Sequence, residues 1–360
     1  MVTIAKGRLS VKKLTIAIDL AKNVFEIAVA DSRGKIVDRR RVNRPQLQRY
    51  LGSQSDAHVV MESCSTAHFW GRWCLDRGLT VSLLPPLYVR AYVRRNKTDS
   101  ADATALLEAA RASDIHAVAV KSVEQQAIQG LHRIRSGWMA TRTARINALR
   151  GHCREFGIAA PAGPRSSLAS LVAHVDDPAS AIPDLLRAML RQLIEEIRGL
   201  EERVHAIEAH LAVLAGQSEV CQRLQTIPGI GLLTATAFAG TVGDIRSFRN
   251  ARCFASWLGL TPREHSSGNI RRLGAISKRG DAYLRMMLIH GARAVLYSAR
   301  MAERARRPLD ALRGWGLRLL SRGNHNKAAV AIANKLARIV WAAWYRQRDF
   351  EFRADSIATT

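Results

Sequence analysis

The stretch KLTIAIDLAKNVFEIAVADSRGKIVDRRRV, Lys13 to Val42, decides the fold. KLTIAIDLA and VFEIAVAD are β-rich runs and GKIVDRRRV is a third. Asp31-Ser32-Arg33-Gly34, between the last two, has the composition of a hairpin turn. Three strands in a meander are expected. Working outward, RPQLQRYLGS reads as a short helix, HVVMES as a strand, TAHFWGRWCLDRGL as a helix, and TVSLLPP as a strand ended by prolines. A meander followed by strand–helix–strand predicts an α/β arrangement with a mixed sheet.

At 360 residues the chain is long enough for two or three cores, and 48% hydrophobic with 24% charged residues is ordinary globular composition. The informative quantity is the charge: 55 Lys+Arg against 30 Asp+Glu, a formal net +25. The excess is spread along the chain, which points to a polyanionic partner, nucleic acid before all others. A membrane surface fits less well, because no helix is basic on one face with bulky aromatics on the other. The most apolar late segment, AAVAIANKLARIVWAAWY, is interrupted by Lys335 and Arg338 and reads as a buried helix. Five scattered cysteines without a Cys-x-x-Cys indicate neither a zinc site nor a disulfide framework, and no signal-type apolar core opens the chain. A reducing cytoplasm is the expected location.

The middle of the chain reads as helical. Leu186, Leu190, Leu193, Ile197, Leu200, Val204, Ile207, Leu211 and Leu214 step by four and three without a break, the a/d seam of a coiled coil. Two chains paired along this seam, or an internal hairpin with GWMATRTARINALRGHCREFG, would each cover it. The Pro-, Ala- and Ser-rich AAPAGPRSSLASLVAHVDDPASAIPD reads as a connecting loop. From about Val220 the chain reads as helical with basic loops. In LQTIPGIGLLTATAFAG, Gly229 and Gly231 allow backbone to approach a phosphate, as in a helix-hairpin-helix; a tight helix–helix turn accounts for them almost as well.

Against this basic background the acids are conspicuous. Asp19 and Glu62 each sit near the end of an apolar strand, where a carboxylate is costly to desolvate unless a cation meets it. In a sheet with the first strand beside the fourth they become neighbours. In NKTDSADATALLEAAR, Asp99 and Asp102 lie at i and i+3 and can share one helix face, directly after the basic Arg94, Arg95 and Lys97. The same pair can also cap the helix, with Asp99 as N-cap; the two roles are compatible. Four converging carboxylates require divalent cations between them. Two ions about 4 Å apart are the device for in-line phosphoryl transfer, and Mg²⁺ suits an all-oxygen site.

These motifs together resemble a family. IAIDLAKNVFEIAV, VVMESCSTAHFW and RRNKTDSADA look like the Asp-Glu-Asp-Asp motifs of the bridge-RNA-guided DEDD transposases of bacterial insertion sequences. The segment from Ile227 to Ala292 looks like their C-terminal transposase domain. The resemblance implies a RuvC-like (RNase H fold) α/β domain over residues 9–125 and a helical linker and coiled coil over 126–216. It also implies a mainly α-helical transposase domain with a catalytic serine over 217–348. It carries the metal-binding acids onto Asp19, Glu62, Asp99 and Asp102, with Mg²⁺ as cofactor. The serine falls in HSSGNIRR, on Ser267 with Ser266 as the one-position alternative. Arg263, Arg271, Arg272, Lys278 and Arg279 flank it and are suited to neutralising a scissile phosphate. DNA, a structured guide RNA and other copies of the chain, as dimer or tetramer, are the implied partners, and the resemblance suggests that the two halves of the centre come from different subunits. The alternatives are a metal-dependent junction nuclease using the acids alone, or a non-catalytic nucleic-acid-binding protein. His68 reads as a partly exposed structural histidine, His325 as a loop or helix-start residue near phosphate, and the seven tryptophans mostly as core.

Overall fold

The structure is a computed structural model. It describes residues 14–93 and 99–351, without the side chains of Asp99, Ser100, Pro164 and Arg165. Two compact units, Met1–Val123 and Glu124–Thr360, divide the chain.

In the first unit β1 (Thr15–Asp19), β2 (Val24–Ala30) and β3 (Ile36–Asn43) form the expected antiparallel meander. The carboxylate of Asp31 accepts the N–H groups of Arg33 and Lys35, both at 2.9 Å, which fixes the β2–β3 turn. Helix α1 (Arg44–Gly52) leads to β4 (His58–Glu62), and α2 (Ala67–Leu75) to β5 (Thr80–Leu84). Both later strands are parallel to β1, giving the mixed order β3-β2-β1-β4-β5. Alternation sends Ile16, Ile18, Phe25, Ile27, Val59 and Met61 to one face, where Leu47 and Leu51 of α1 and Trp70 and Cys74 of α2 cover them. The other face is lined by the smaller Ala17, Ala28, Ala30 and Val60. After α3 (Pro86–Val89), α4 (Asp99–Arg111) packs there through Ala103 and Leu106. Burial on both faces accounts for the nearly unbroken apolar run in β1.

In the second unit α5 (Val123–Glu155) and α7 (Asp184–Gln217) pair antiparallel, with α6 (Pro164–Asp176) between them in the chain. Arg135 pairs with Glu208, Arg142 with Glu201 and Arg145 with Glu196, one series rising as the other falls. The seam residues Leu190, Ile197, Leu200, Val204, Ile207 and Leu211 are buried within this chain. Ile146 and Leu149 of α5 meet one end of the seam, and Ile128 with Trp138 the other. The internal hairpin therefore covers the stripe, and its regularity carries no argument for a second chain. The expected loop in the Pro-rich segment is also corrected: Leu171 and Val175, one turn apart on α6, are fully buried against the same cluster.

The remainder is helical apart from one hairpin. It comprises α8 (Glu219–Gln225), α9 (Leu232–Val242), α10 (Ala251–Trp257), β6 (Pro262–Glu264), β7 (Leu273–Ile276), α11 (Ala282–Arg304), α12 (Ala311–Ser321) and α13 (His325–Arg346). Phe238, Phe254, Leu288, Leu296, Ile332 and Leu336 are fully buried in its core. A buried polar link joins three helices. Thr236 Oγ1 donates to Leu232 O at 2.8 Å, so it accepts from His132 Nε2, and His132 Nδ1 then accepts from the Tyr283 hydroxyl; both contacts are 3.0 Å. Among the described residues no helix is long and apolar enough to cross a membrane.

Candidate active site

β1 and β4 run parallel with Ile18 opposite Met61. Asp19 and Glu62 are the next and last residues of these strands, so they end side by side. Ile18 and Met61 point to the α1/α2 face, so alternation turns Asp19 and Glu62 to the α4 face. The direction of α4 follows from its far end: Leu107 and Arg111 line a cleft of about 640 Å³ with Thr15, Ala30 and His58, the starts of β1 and β4 and the end of β2. The helix therefore runs antiparallel to β1 and β4. From Arg111 back to Asp102 is about 13 Å of helix at 1.5 Å per residue, matching the about 13 Å of strand from Thr15 to Asp19. Asp102, one turn before Leu106, is thus directed to the end of the sheet that carries Asp19 and Glu62. Among the described residues no three His, Cys, Asp or Glu side chains form a metal-binding group. The side chain of Asp99, its capping role, and the basic Arg94, Arg95 and Lys97 lie outside the described residues.

A further carboxylate escaped the reading of the sequence. Glu26 is the antiparallel partner of Asp19 and shares its face, and Arg41 Nε of β3 stands 3.4 Å from Glu26 Oε1. The signal was present as a lone acid in VFEIAV, on the parity opposite to Phe25 and Ile27. Only the hairpin register places it beside Asp19.

The predicted serine lies on a structure that the helical reading missed, the β6–β7 hairpin. Ser267 and Ile270 exchange N–H···O bonds of 3.2 Å across Gly268 and Asn269, with Gly268 at φ +55° making the tip. Ser266 Oγ donates to Glu264 Oε1 at 2.8 Å and accepts from the Arg272 N–H at 3.2 Å, while Arg271 Nε lies 3.3 Å from the same carboxylate oxygen. The Ser267 hydroxyl makes no such bond among the described residues. Arg263, Arg271, Arg272, Lys278 and Arg279 are all exposed. The loop carrying the last two is tied down: Ser277 N donates to Thr261 O at 2.8 Å and Lys278 N to Gly259 O at 3.1 Å. Arg285 Nη1 donates to Leu258 O at 3.0 Å from beneath. The cations are thus displayed from a fixed base.

The glycines of the α8–α9 turn separate into two roles. Gly229, at φ +83°, presses against α11, where an added Cβ would meet Gly291 O at 2.6 Å. Close packing accounts for this glycine without a phosphate. Gly231 is exposed at the start of α9, in open space. His325 is the exposed first residue of α13. His68 is buried, not partly exposed: its Nδ1 accepts the Lys121 N–H at 3.2 Å. Burial, with Lys121 and Arg72 adding to it, lowers its pKa to about 4; burial with Arg135 does the same for His132, also to about 4.

Residues 221–307 match the transposase family of IS116, IS110 and IS902, and residues 16–157 match the DEDD transposase domain of IS110 elements. Over 92% of its length the chain is 42% identical to a probable family 20 transposase of Pseudomonas aeruginosa, covering 97% of that protein. The chain belongs to the IS110 family of transposases. This transposase is also 38% identical to the transposase for insertion sequence element IS1111A of Coxiella burnetii, over 96% of its own chain and 93% of the relative. It is 37% identical to that of IS1328 of Yersinia enterocolitica, over 91% and 95%. Of the two matched segments of the transposase, 16–157 contains the strand-end acids and 221–307 the serine hairpin, so both candidate centres fall within the shared sequence.

Proposed function

We propose that this IS110-family transposase is an RNA-guided DNA recombinase that cuts and rejoins strands with a metal-dependent acidic centre and a serine nucleophile. The observation that carries the acidic centre is the register of β1 and β4, which ends both strands in a carboxylate on the face under α4. Asp19, Glu62, Asp99 and Asp102 form an all-oxygen donor set, suited to two Mg²⁺ ions rather than to a softer metal. When bound, Mg²⁺ neutralises the carboxylates and polarises phosphoryl oxygens.

The serine supplies the covalent step. Ser267 Oγ bonds to the scissile phosphorus as its O–H proton is given up, the bond from phosphorus to one deoxyribose oxygen breaks, that oxygen takes up a proton and leaves as a hydroxyl, and the phosphoserine diester keeps the phosphodiester's energy for rejoining. Arg263, Arg271, Arg272, Lys278 and Arg279 neutralise the phosphate during attack. Ser266, bonded to Glu264, is the alternative nucleophile with an acceptor for its proton already in place. The helix-hairpin-helix-like turn at Gly231 adds backbone donors for DNA. Residues 9–125, 126–216 and 217–348 then serve as RuvC-like domain, helical spacer and serine domain of a homo-oligomer working in the bacterial cytoplasm. A net charge of +25 fits a protein that holds guide RNA and DNA together, with sequence chosen by base pairing. Recombination assayed with and without the element's structured RNA tests the guidance: selective recombination by RNA-free protein contradicts it.

A further inference from the structure

Helix α11 carries two stripes. Leu284, Leu288, Ala292, Val295 and Leu296 face the core of the second unit. On the opposite side Met286, His290, Arg293, Tyr297, Arg300 and Arg304 step by four and three, and all are exposed. A solvated helix face ordinarily mixes acids with lysines. This helix has no lysine, and Glu303 near its end is its lone acid. In the middle of the stripe Tyr297 is 67% exposed, the most exposed aromatic residue among the described residues. Exposed Tyr345 leans on Trp341, stacked at 4.6 Å; the ring of Tyr297 has no aromatic or cationic partner among the described residues. Arg293 and Arg300 stand about one turn to either side of it, roughly 5 Å along the axis. Arg293 Nη2 donates to Asn326 Oδ1 at 3.3 Å, which steadies it beside the start of α13. The helix dipole accounts for a cation in the last turn, where Arg304 lies, but not for these two.

We propose that this face of α11 binds single-stranded nucleic acid, with Tyr297 stacking on an unpaired base while Arg293 and Arg300 hold the phosphates to either side. Charge selects the occupant. A second copy docked face to face would set arginine against arginine, whereas a polyanion is complementary to the stripe. The ring selects the form of the polyanion. A base offers its face to a side chain only where it is unpaired, since neighbours in a duplex cover it. The bond to Asn326 uses one of several N–H donors of Arg293, and the planar fork of a guanidinium suits phosphate oxygens. The site depends on neither the acidic centre nor the serine. Loops of the proposed guide RNA and an unpaired DNA strand offer it the same chemistry.

The probes are fluorescein-labelled RNA and DNA strands of one unpaired sequence, the DNA duplex of that sequence, and a DNA strand of the same length without bases. Each is titrated with the full-length protein at several salt concentrations in chelator, so that no cleavage is needed. Tyr297→Leu should weaken binding of the unpaired strand by about five-fold or more with the salt slope unchanged, and Tyr297→Trp should restore it. The duplex and the strand without bases should bind Tyr297→Leu like wild type. The double variant Arg293→Gln, Arg300→Gln should instead flatten the log–log salt slope by about one to two. For Tyr297→Leu, equal losses on every probe, or no loss on any, overturn the stacking. An unchanged slope in the double arginine variant overturns the phosphate contacts. A loss confined to the RNA strand or to the DNA strand supports the site and names its source. A lower mass in solution for Tyr297→Leu, with every affinity unchanged, makes the face an interface between copies and overturns the proposal.

Discussion

Replacing Asp19 by Asn or Glu62 by Gln keeps the shape of each strand end and removes one charge from the face under α4. DNA cleavage by either variant should fall by about two orders of magnitude or more. DNA affinity, read by electrophoretic mobility shift, should hold or rise; a parallel loss of both would make the acids structural. Asp102→Ala should follow them, and normal cleavage would leave it a helix-start residue only. The buried histidines give a second test. Their folded pKa values of about 4 lie below the unfolded value of about 6.5, so folding releases protons between these limits. Stability is complete above about pH 6.5 and declines as pH falls towards 4, by of order 2–3 kcal/mol for each histidine. Thermal unfolding at pH 7 and pH 5, a range above ordinary carboxylate titration, should show a lower midpoint at pH 5, and His132→Gln should reduce the difference. A pH-independent midpoint would contradict the burial argument. Asp19 and Glu62 could be singled out in the sequence because a carboxylate ending an apolar strand is anomalous by itself. Glu26 could not, because its significance depends on which residue lies across the hairpin.

Gly229 and Gly291 let the α8–α9 turn touch α11 backbone to backbone. Gly291→Ala adds a methyl where only the Gly229 carbonyl has room, and should cost about 1–3 kcal/mol. In a unit of this size that is a fall of several degrees in melting temperature; an unchanged melt would mean that the turn yields. Along the α5–α7 pair, Ile197 is fully buried, and Ile197→Ala should cost about 2–5 kcal/mol. Its readout is loss of helix on heating, because the seam is covered from within the chain; splitting of an oligomer with the helix intact would contradict that packing. The elements of the sheet were legible because period-two runs bounded by turn residues have few other readings. The heptad stripe of α7 was legible too, but periodicity reports an apolar face and not the identity of what covers it. Helix α6 was hidden by its flanking prolines. The β6–β7 hairpin was hidden because its strands are short and exposed except for Ile276, so burial imposes no alternation on them.

At the scale of the molecule, a net charge of +25 is held by a chain whose acidic strand ends and exposed serine hairpin lie in the two segments shared with IS110-family transposases. Binding of DNA and RNA should therefore fall steeply with salt, with a log–log slope of about −0.7 to −0.9 per phosphate contacted; a flat dependence would remove the backbone-dominated account. Mixed sheet, helical middle and basic C-terminal part all followed from patterning. The proposed chemistry linking acids to serine did not, since it depends on the reacting DNA. The most direct measurement is to incubate the protein, the proposed guide RNA, Mg²⁺ and labelled DNA carrying an element end, and then to resolve the products under denaturing conditions. A protein–DNA adduct should form, and it should be lost in Ser267→Ala, in Asp19→Asn and in chelator. An adduct lost in Ser266→Ala instead moves the nucleophile back one residue. Cleaved DNA with free ends and no adduct in the wild-type protein would contradict the serine mechanism.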